Sequence, residues 1–206
     1  MKRADAGAWR DAKVLGFTNL DFASGLEGWK VFQTSNGQVL GAEGVRFAVR
    51  TGIETNALAL AVGQREVRMR PNPETGGQIM DFTPEGGGVS QTFRVAESGT
   101  LTVRVDVATA FESTAQHLSN GDGGRFELLV DGRPVAQKKL EGVKNHAVER
   151  AVLESSVVLL PGEHTLAIRV MRGLKPSFAR EKDVKGNLTK AVTLISYLGP
   201  VSVGWR

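Results

Sequence analysis

The chain has 206 residues, a formal charge of +4, a pI near 9.6 and no cysteine, which removes disulfides, thiol nucleophiles and cysteine-ligated zinc. The positive surplus is small for this length and is not gathered into blocks, and no RNA-reading signature is present, so no nucleic-acid partner is expected. No apolar run approaches the ~20 residues that span a bilayer, so no membrane span is expected either.

Residues 1–13 read as a polar arm, and 14–206 as one domain. A domain of this size buries roughly 70 % of the surface its unfolded chain exposes, so neither a disulfide nor a metal is needed for stability. The opening MKRADAGAWRDAKVLGF carries charge but no apolar core and no cleavage site, and does not read as a signal peptide. Either the protein stays inside the cell or a signal has been removed.

Residues 14–17 suit a short first strand. NLDFASGLEGW at 19–29 follows, with Asn19, Asp21, Ser24 and Gly25 as turn formers and Phe22 and Trp29 placed for burial. Strands are expected at 30–34 and 45–50, and another where Leu58, Leu60 and Val62 alternate. A weaker strand is expected at 67–70. Residues 71–88 are rich in Pro and Gly and read as a long loop holding a short strand at 78–82.

The strongest pattern lies at 88–108. Val89, Gln91, Phe93 and Val95 share one face of a first strand, and Leu101, Val103, Val105 and Val107 share one face of a second. Apolar residues at every second position mean strands buried on one side. With Ser98-Gly99 in the connection, the pair reads as a hairpin whose apolar face needs a second sheet to cover it. Residues 111–124 read as a polar loop ending in SNGDGG. Phe126, Leu128 and Val130 alternate next, and Asp131-Gly132 is a tight-turn pair before a return strand at 134–140. Residues 148–160 hold one long strand or two short ones, Pro161-Gly162 turns the chain, and a strand at 164–171 follows. A basic loop, 172–190, contains Arg172, Lys175, Arg180, Lys182, Lys185 and Lys190 against Glu181 and Asp183. Strands at 191–198 and 201–205 close the chain. Evenly spaced strands with turn signals between them predict an all-β fold, an antiparallel β-sandwich of the jelly-roll kind.

NLDFASGLEGW at 19–29 resembles the opening of carbohydrate-binding modules with a galactose-binding-domain-like jelly roll. GVSQTFRVAESGTLTVRVDVA resembles their strand pair, and FELLVDGRPVA and LLPGEHTLAIRV resemble the hairpin and strand that follow. The likeness covers most of 19–203 and concerns buried positions and turns, so it speaks to fold more than to ligand. It implies a non-catalytic module that attaches an enzyme or a cell surface to a glycan or polysaccharide, in an extracellular or cell-surface setting. Many such modules carry calcium on an acidic residue after the opening Phe and on an Asp in the closing strand. Here Ala23 follows Phe22 and the closing segment reads SYLGPVSV, so no calcium is expected at that site, and no cofactor is expected.

Candidate sugar contacts come from two sources. Arg104, Asp106, Glu127 and Arg169 lie on the solvent face of strands that, within one sheet, form a polar patch for hydroxyls; the simpler reading is that these charges pair with one another. Trp9, Phe111, Phe178 and Trp205 lie in loops or at chain ends, where an exposed ring can stack on a sugar; the simpler reading is that such a ring plugs the end of the sandwich. Phe178, flanked by Lys175 and Arg180, and Trp205 are the candidates carried forward, and loop 172–190 is a candidate contact for protein partners. SNGDGG lacks the spacing and closing Glu of an EF-hand. His117, His146 and His164 have no partners at metal-ligand spacing, and His164 has the parity of the core edge. No GxSxG elbow or phosphate-cradling glycine loop occurs. Asn187-Leu188-Thr189 is a sequon with meaning only in a eukaryotic secretory setting. The alternative to glycan binding is a structural or interaction jelly-roll subunit of a larger assembly or cell envelope. A hydrolase with facing carboxyls is a third reading.

Overall fold

The computed structural model describes residues 13–35, 38–40, 46–51, 56–62, 65–71, 74, 78–82, 85–113, 120–144, 146–172 and 192–206. Among them are sixteen strands and no helix. In chain order they are β1 (Val14–Leu15), β2 (Lys30–Ser35), β3 (Gln38–Leu40), β4 (Arg46–Thr51), β5 (Asn56–Ala61), β6 (Arg65–Pro71), β7 (Gln78–Phe82), β8 (Gly86–Val95), β9 (Gly99–Ser113), β10 (Asn120–Gly121), β11 (Gly124–Val130), β12 (Arg133–Leu140), β13 (Val143–Lys144), β14 (Ala147–Leu159), β15 (Gly162–Met171) and β16 (Val192–Trp205). One sheet has the order β12-β11-β15-β8-β2-β3, with β1 also paired to β8. The other has the order β14-β9-β16-β5-β4, and β10-β13 and β6-β7 are small two-stranded pairs. The pairings are antiparallel, and the two large sheets make the jelly-roll β-sandwich expected from the sequence.

The pattern at 88–108 has a different topology from a hairpin. β8 pairs with β15 and β2 in the seven-stranded sheet, whereas β9 pairs with β14 and β16 in the five-stranded sheet. The connection through Ala96 and Ser98 therefore crosses from one sheet to the other. Period-two alternation looks the same in both arrangements, because it records only which side of each strand is buried. Here Val89, Phe93 and Val95 and Leu101, Val103, Val105 and Val107 all belong to one buried cluster, contributed from opposite layers. The chain crosses again between β14 and β15, at Leu160 and Pro161.

Three further boundaries depart from the sequence reading. The glycines at 86–88 belong to β8, not to a loop. A Cβ on Gly88 would run into the Ile168 carbonyl oxygen and the Arg169 backbone, so the neighbouring strand approaches where only glycine fits. β9 continues through Phe111 to Ser113, where a polar loop was expected; Phe111 is fully buried and packs in a small cluster with Val143 and Leu194. The 19–29 segment fills one side of the core, as its aromatics suggested. Asn19, at φ 49°, accepts from Ser24 N–H and donates through Nδ2 to the Gly25 and Glu27 carbonyls. Trp29 Nε1 donates to the Asn19 carbonyl, and its ring lies 5.3 Å from that of Phe22. Val201 of β16 donates its N–H to the Leu20 carbonyl, which ties this segment to the five-stranded sheet.

At the end of the sandwich where β5, β8, β15 and β16 start or stop, one arginine joins the layers. Arg172, the first residue after β15, is 2 % exposed. Its Nε donates to the Asp122 carbonyl, its Nη1 to the Val62 carbonyl, and its Nη2 to Thr109 Oγ1, the Gly123 carbonyl and Ser196 Oγ. Burial pulls its pKa down to about 10, partly offset by the charge of Asp122, so it stays protonated at neutral pH. The sequence reading placed Arg172 in the basic loop; it is instead the polar centre of this end. Asp122 and Gly123, placed by the sequence reading in a polar loop, turn their carbonyls to the guanidinium.

At the other end, Asp131 (φ 50°) and Gly132 (φ 73°) make the tight turn between β11 and β12. Asp131 Oδ1 accepts from Thr165 N–H, and its Oδ2 lies 2.8 Å from His164 Nδ1. His164 Nε2 is 2.8 Å from the Leu160 carbonyl. Both ring nitrogens face acceptors, an arrangement that favours imidazolium. Partial burial pushes the His164 pKa down, but the hydrogen bonds to Asp131 and Leu160 outweigh it and hold the pKa above 6.5. Partial burial pushes Asp131 up, and its bonds to His164 and Thr165 outweigh that and hold it below 3.8.

Two outcomes follow. Arg172→Met strands buried carbonyls and hydroxyls at the junction of the sheets and is expected to lose about 3–5 kcal/mol in urea unfolding; Arg172→Lys, which cannot copy the planar fork, should recover less than half of that. The His164–Asp131 contribution is complete between the unfolded values, above pH 3.8 and below pH 6.5. It declines as pH rises through the raised His164 pKa and as pH falls through the lowered Asp131 pKa. A His164→Gln variant should therefore show a flatter dependence of the urea midpoint on pH above 6.5 than the parent; identical slopes would remove this linkage.

Candidate functional site

The four charged residues expected to form one patch lie on opposite outer faces of the sandwich. Arg104 and Asp106 are on β9 in the five-stranded sheet, whereas Glu127 and Arg169 are cross-strand partners on β11 and β15 in the seven-stranded sheet. Alternation does not say which sheet each strand joins: the chain changes layer several times along its length, and the passage from β9 to β11 is what parts Arg104 from Glu127.

The two groups differ in character. Glu127 is 3 % exposed and held by Arg169 Nε at 2.7 Å and Arg125 Nε at 2.9 Å, while the Arg169 side chain is itself nearly buried. This carboxylate is fully engaged by neighbours. Arg104 sits in the open, with Nη1 3.2 Å from Glu154 and Nη2 3.6 Å from Asp106. Beside it, Thr102 and Ser156 share a hydroxyl–hydroxyl bond of 2.9 Å. Polar groups here keep free donors and acceptors toward solvent.

Of the candidate rings, Trp205 pairs across from Leu101 on the inward side and packs at the rim of the core, over Gly99. Trp9, Phe178 and the rest of the basic loop beyond Arg172 lie outside the described residues, as do His117 and Asn187. Among the described residues, no three His, Asp or Glu side chains converge as a metal-binding group.

One aromatic residue was passed over in the sequence. Tyr197 lies on β16, the middle strand of the five-stranded sheet. Leu194, Ser196 and Leu198 are buried, so Ile195 and Tyr197 take the outer face. Tyr197 pairs with Ala59 of β5 on one side and Ala108 of β9 on the other. Beyond these, Ala59 pairs with Ala48 of β4 and Ala108 with Arg150 of β14. The partly buried Tyr197 thus stands in a row Arg150, Ala108, Tyr197, Ala59, Ala48 that crosses all five strands, about 19 Å at the usual strand spacing, with Ala59 and Ala108 themselves buried. The register shift between Leu198 and Val201 carries Gly199 against the Asp106 backbone and opens the ladder next to the row. Asp106, then Arg104 with Glu154 and Ser202, follow further along the same face. The sequence hid this because LISYL at 194–198 has apolar residues on both parities: Tyr197 is the single tyrosine, set among residues that read as a core strand.

No family model matches the chain, and no curated protein matches it. Solved structures to which it is similar include TmCBM61 in complex with β-1,4-galactotriose, at 10 % identity over 93 % of this chain and 98 % of that one, with a TM-score of 0.47. The enzymatically active domain of tailspike protein 4 from bacteriophage CBA120 is similar at 12 % identity, covering 93 % of this chain and 21 % of that one, with a TM-score of 0.46. CBM35 from Cellvibrio japonicus is similar at 12 % identity, covering 85 % and 96 %, with a TM-score of 0.32. At these identities no site residue carries over to this chain.

The two charge clusters should separate cleanly in stability measurements. Glu127→Gln leaves Arg169 unpaired in a nearly buried position and is expected to cost about 3 kcal/mol or more, whereas Arg104→Ala, in an exposed ion pair, should cost about 1 kcal/mol or less. Equal losses by urea unfolding would mean that burial does not distinguish them.

Proposed function

We propose that the chain is a non-catalytic carbohydrate-binding module that holds an enzyme or a cell surface against a glycan, outside the cell. The observation that carries this reading is the outer face of the five-stranded sheet. A pyranose ring presents axial C–H groups on one side and hydroxyls around its edge. It is best received by an aromatic ring flanked by small residues, with hydrogen-bonding groups at the margin. The exposed part of Tyr197, set between the buried Ala59 and Ala108, supplies the first part. Arg104, Asp106, Glu154 and the hydroxyls of Thr102 and Ser156 supply the second. The exposed charges here are carried by rigid strands, which limits the ordering cost on binding. Phe178, in the basic stretch that follows Arg172 in the sequence, is a further proposed contact. Glu127, Arg169 and Trp205, engaged by neighbours or packed on the core, serve the scaffold in this reading.

The alternative, a structural or interaction subunit, draws on the exposed apolar residues of β14 and its turn: Val148, Val152, Val158 and Leu160 are 41 %, 40 %, 73 % and 69 % exposed. Light scattering separates the two. A monomer is expected, and a stable oligomer lost on Val152→Lys would favour the alternative.

The direct test is affinity electrophoresis through gels containing soluble polysaccharides. Tyr197→Ala should weaken retardation about tenfold, equivalent to ~1.4 kcal/mol, with an unchanged melting temperature. Retardation indifferent to Tyr197→Ala, or none on any polysaccharide, would overturn the assignment of this face.

A further inference from the structure

The edge of the sandwich at β14 is left open by the ladders. β14 is an end strand of its sheet and, among the described residues, pairs with β9 alone. In an antiparallel ladder every second residue turns its backbone N–H and C=O away from the partner strand, so β14 presents a row of donors and acceptors on its far side, along thirteen residues. β12 approaches from the other layer, where Ser155 Oγ donates to the Val135 carbonyl, but forms no ladder with β14. Even the inward-facing Ala151, Ser155 and Val157 are partly exposed. The outer face of the strand reads Val148, Arg150, Val152, Glu154 and Ser156, all exposed. Arg150 is in no ion pair with a described residue, and Glu154 meets Arg104 at 3.2 Å. Charged side chains on an open edge commonly keep other strands away. Here they differ in sign and stand at equal distances on either side of Val152.

We propose that this edge pairs with the same edge of a second copy of the chain, antiparallel, about a two-fold axis through Val152. In that register Val152 faces the partner's Val152, and Arg150 faces the partner's Glu154 at both symmetric positions. Opposite charges directly across a ladder stabilise it, and like charges destabilise it. An axis through Arg150 or through Glu154 sets like charges against each other, and an axis through Ala151 or Leu153 sets a charge against Val152. The pattern therefore specifies one register. A two-fold contact between identical strands is closed and stops at two copies. One pair of edge strands buries well below the roughly 1,200 Å² of a stable complex, so the pairing is weak and the chain is a monomer when dilute. The two five-stranded sheets join into one, with both outer faces on the same side. On the glycan-binding reading above, which this consequence rests on, two modules so paired hold one polysaccharide at two points.

The test is sedimentation velocity of the full chain, without glycan, from about 10 µM to about 1 mM. A reversible rise toward the dimer mass is expected, with a dissociation constant of roughly 0.1–1 mM. Arg150→Glu and Glu154→Arg each set like charges opposite one another at two positions and should weaken self-association about five- to tenfold. Both positions are exposed, so each variant keeps the fold, read by its melting temperature. An equimolar mixture of the two variants restores opposite charges across the ladder and should associate within about threefold of the parent. A monomer throughout the range would overturn the inference. Self-association indifferent to both substitutions, or a mixture no stronger than its components, would overturn it as well. None of these outcomes touches retardation by polysaccharide, so the glycan reading stands or falls separately, on the Tyr197→Ala gels.

Discussion

Repeated crossings of the chain between the layers govern this structure. Once β8 and β9 lie in opposite sheets, Phe93 and Val95 must meet Leu101 and Val103 across the core instead of beside one another. Each buried side chain of this kind is worth roughly 1.5–3 kcal/mol, and the two rows can be buried only against each other. The crossing at Leu160 and Pro161 sets β14 and β15 in the same relation. Which residues share an outer face follows from such crossings, and the one between β9 and β11 separates Arg104 from Glu127.

The ends of the sandwich are held by polar contacts of opposite character. At one end a protonated arginine is buried among carbonyl and hydroxyl oxygens, with its charge spread over five acceptors from four separate stretches of chain. A buried charge without a carboxylate in contact is costly unless its donors are satisfied, which makes this junction exacting about geometry. At the other end an exposed turn is pinned by an imidazole between a carboxylate and a carbonyl. The first arrangement keeps its charge over the neutral range; the second loses its charge as pH rises through the raised His164 pKa.

The outer face of the five-stranded sheet keeps Arg104, Asp106 and Glu154 exposed on β9 and β14. Its middle strand carries Tyr197, its cross-strand neighbours are alanines, and its charged residues are exposed. The other outer face has used its charges internally, since Glu127 is closed between two arginines. Burial, not residue type, separates a surface that can exchange hydrogen bonds with a ligand from one that has already spent them.

The sequence by itself determined the layer architecture, the burial of Phe22, Trp29 and Phe93, the Asp131-Gly132 turn and the parity of almost every strand. These are local properties: alternation and turn chemistry act over a few residues and survive any arrangement of the strands. Tertiary structure alone decided which strands became neighbours, because the period-two signal is identical for a hairpin and for a crossing between sheets. It decided that three glycines form a strand, since the close approach of β15 is written in residues some eighty positions away. It turned Arg172 from a loop cation into a buried junction, and it brought Tyr197 between two alanines from distant strands. A side chain's partners are set by long-range register, and register is energetically fixed only when both layers close on the same core.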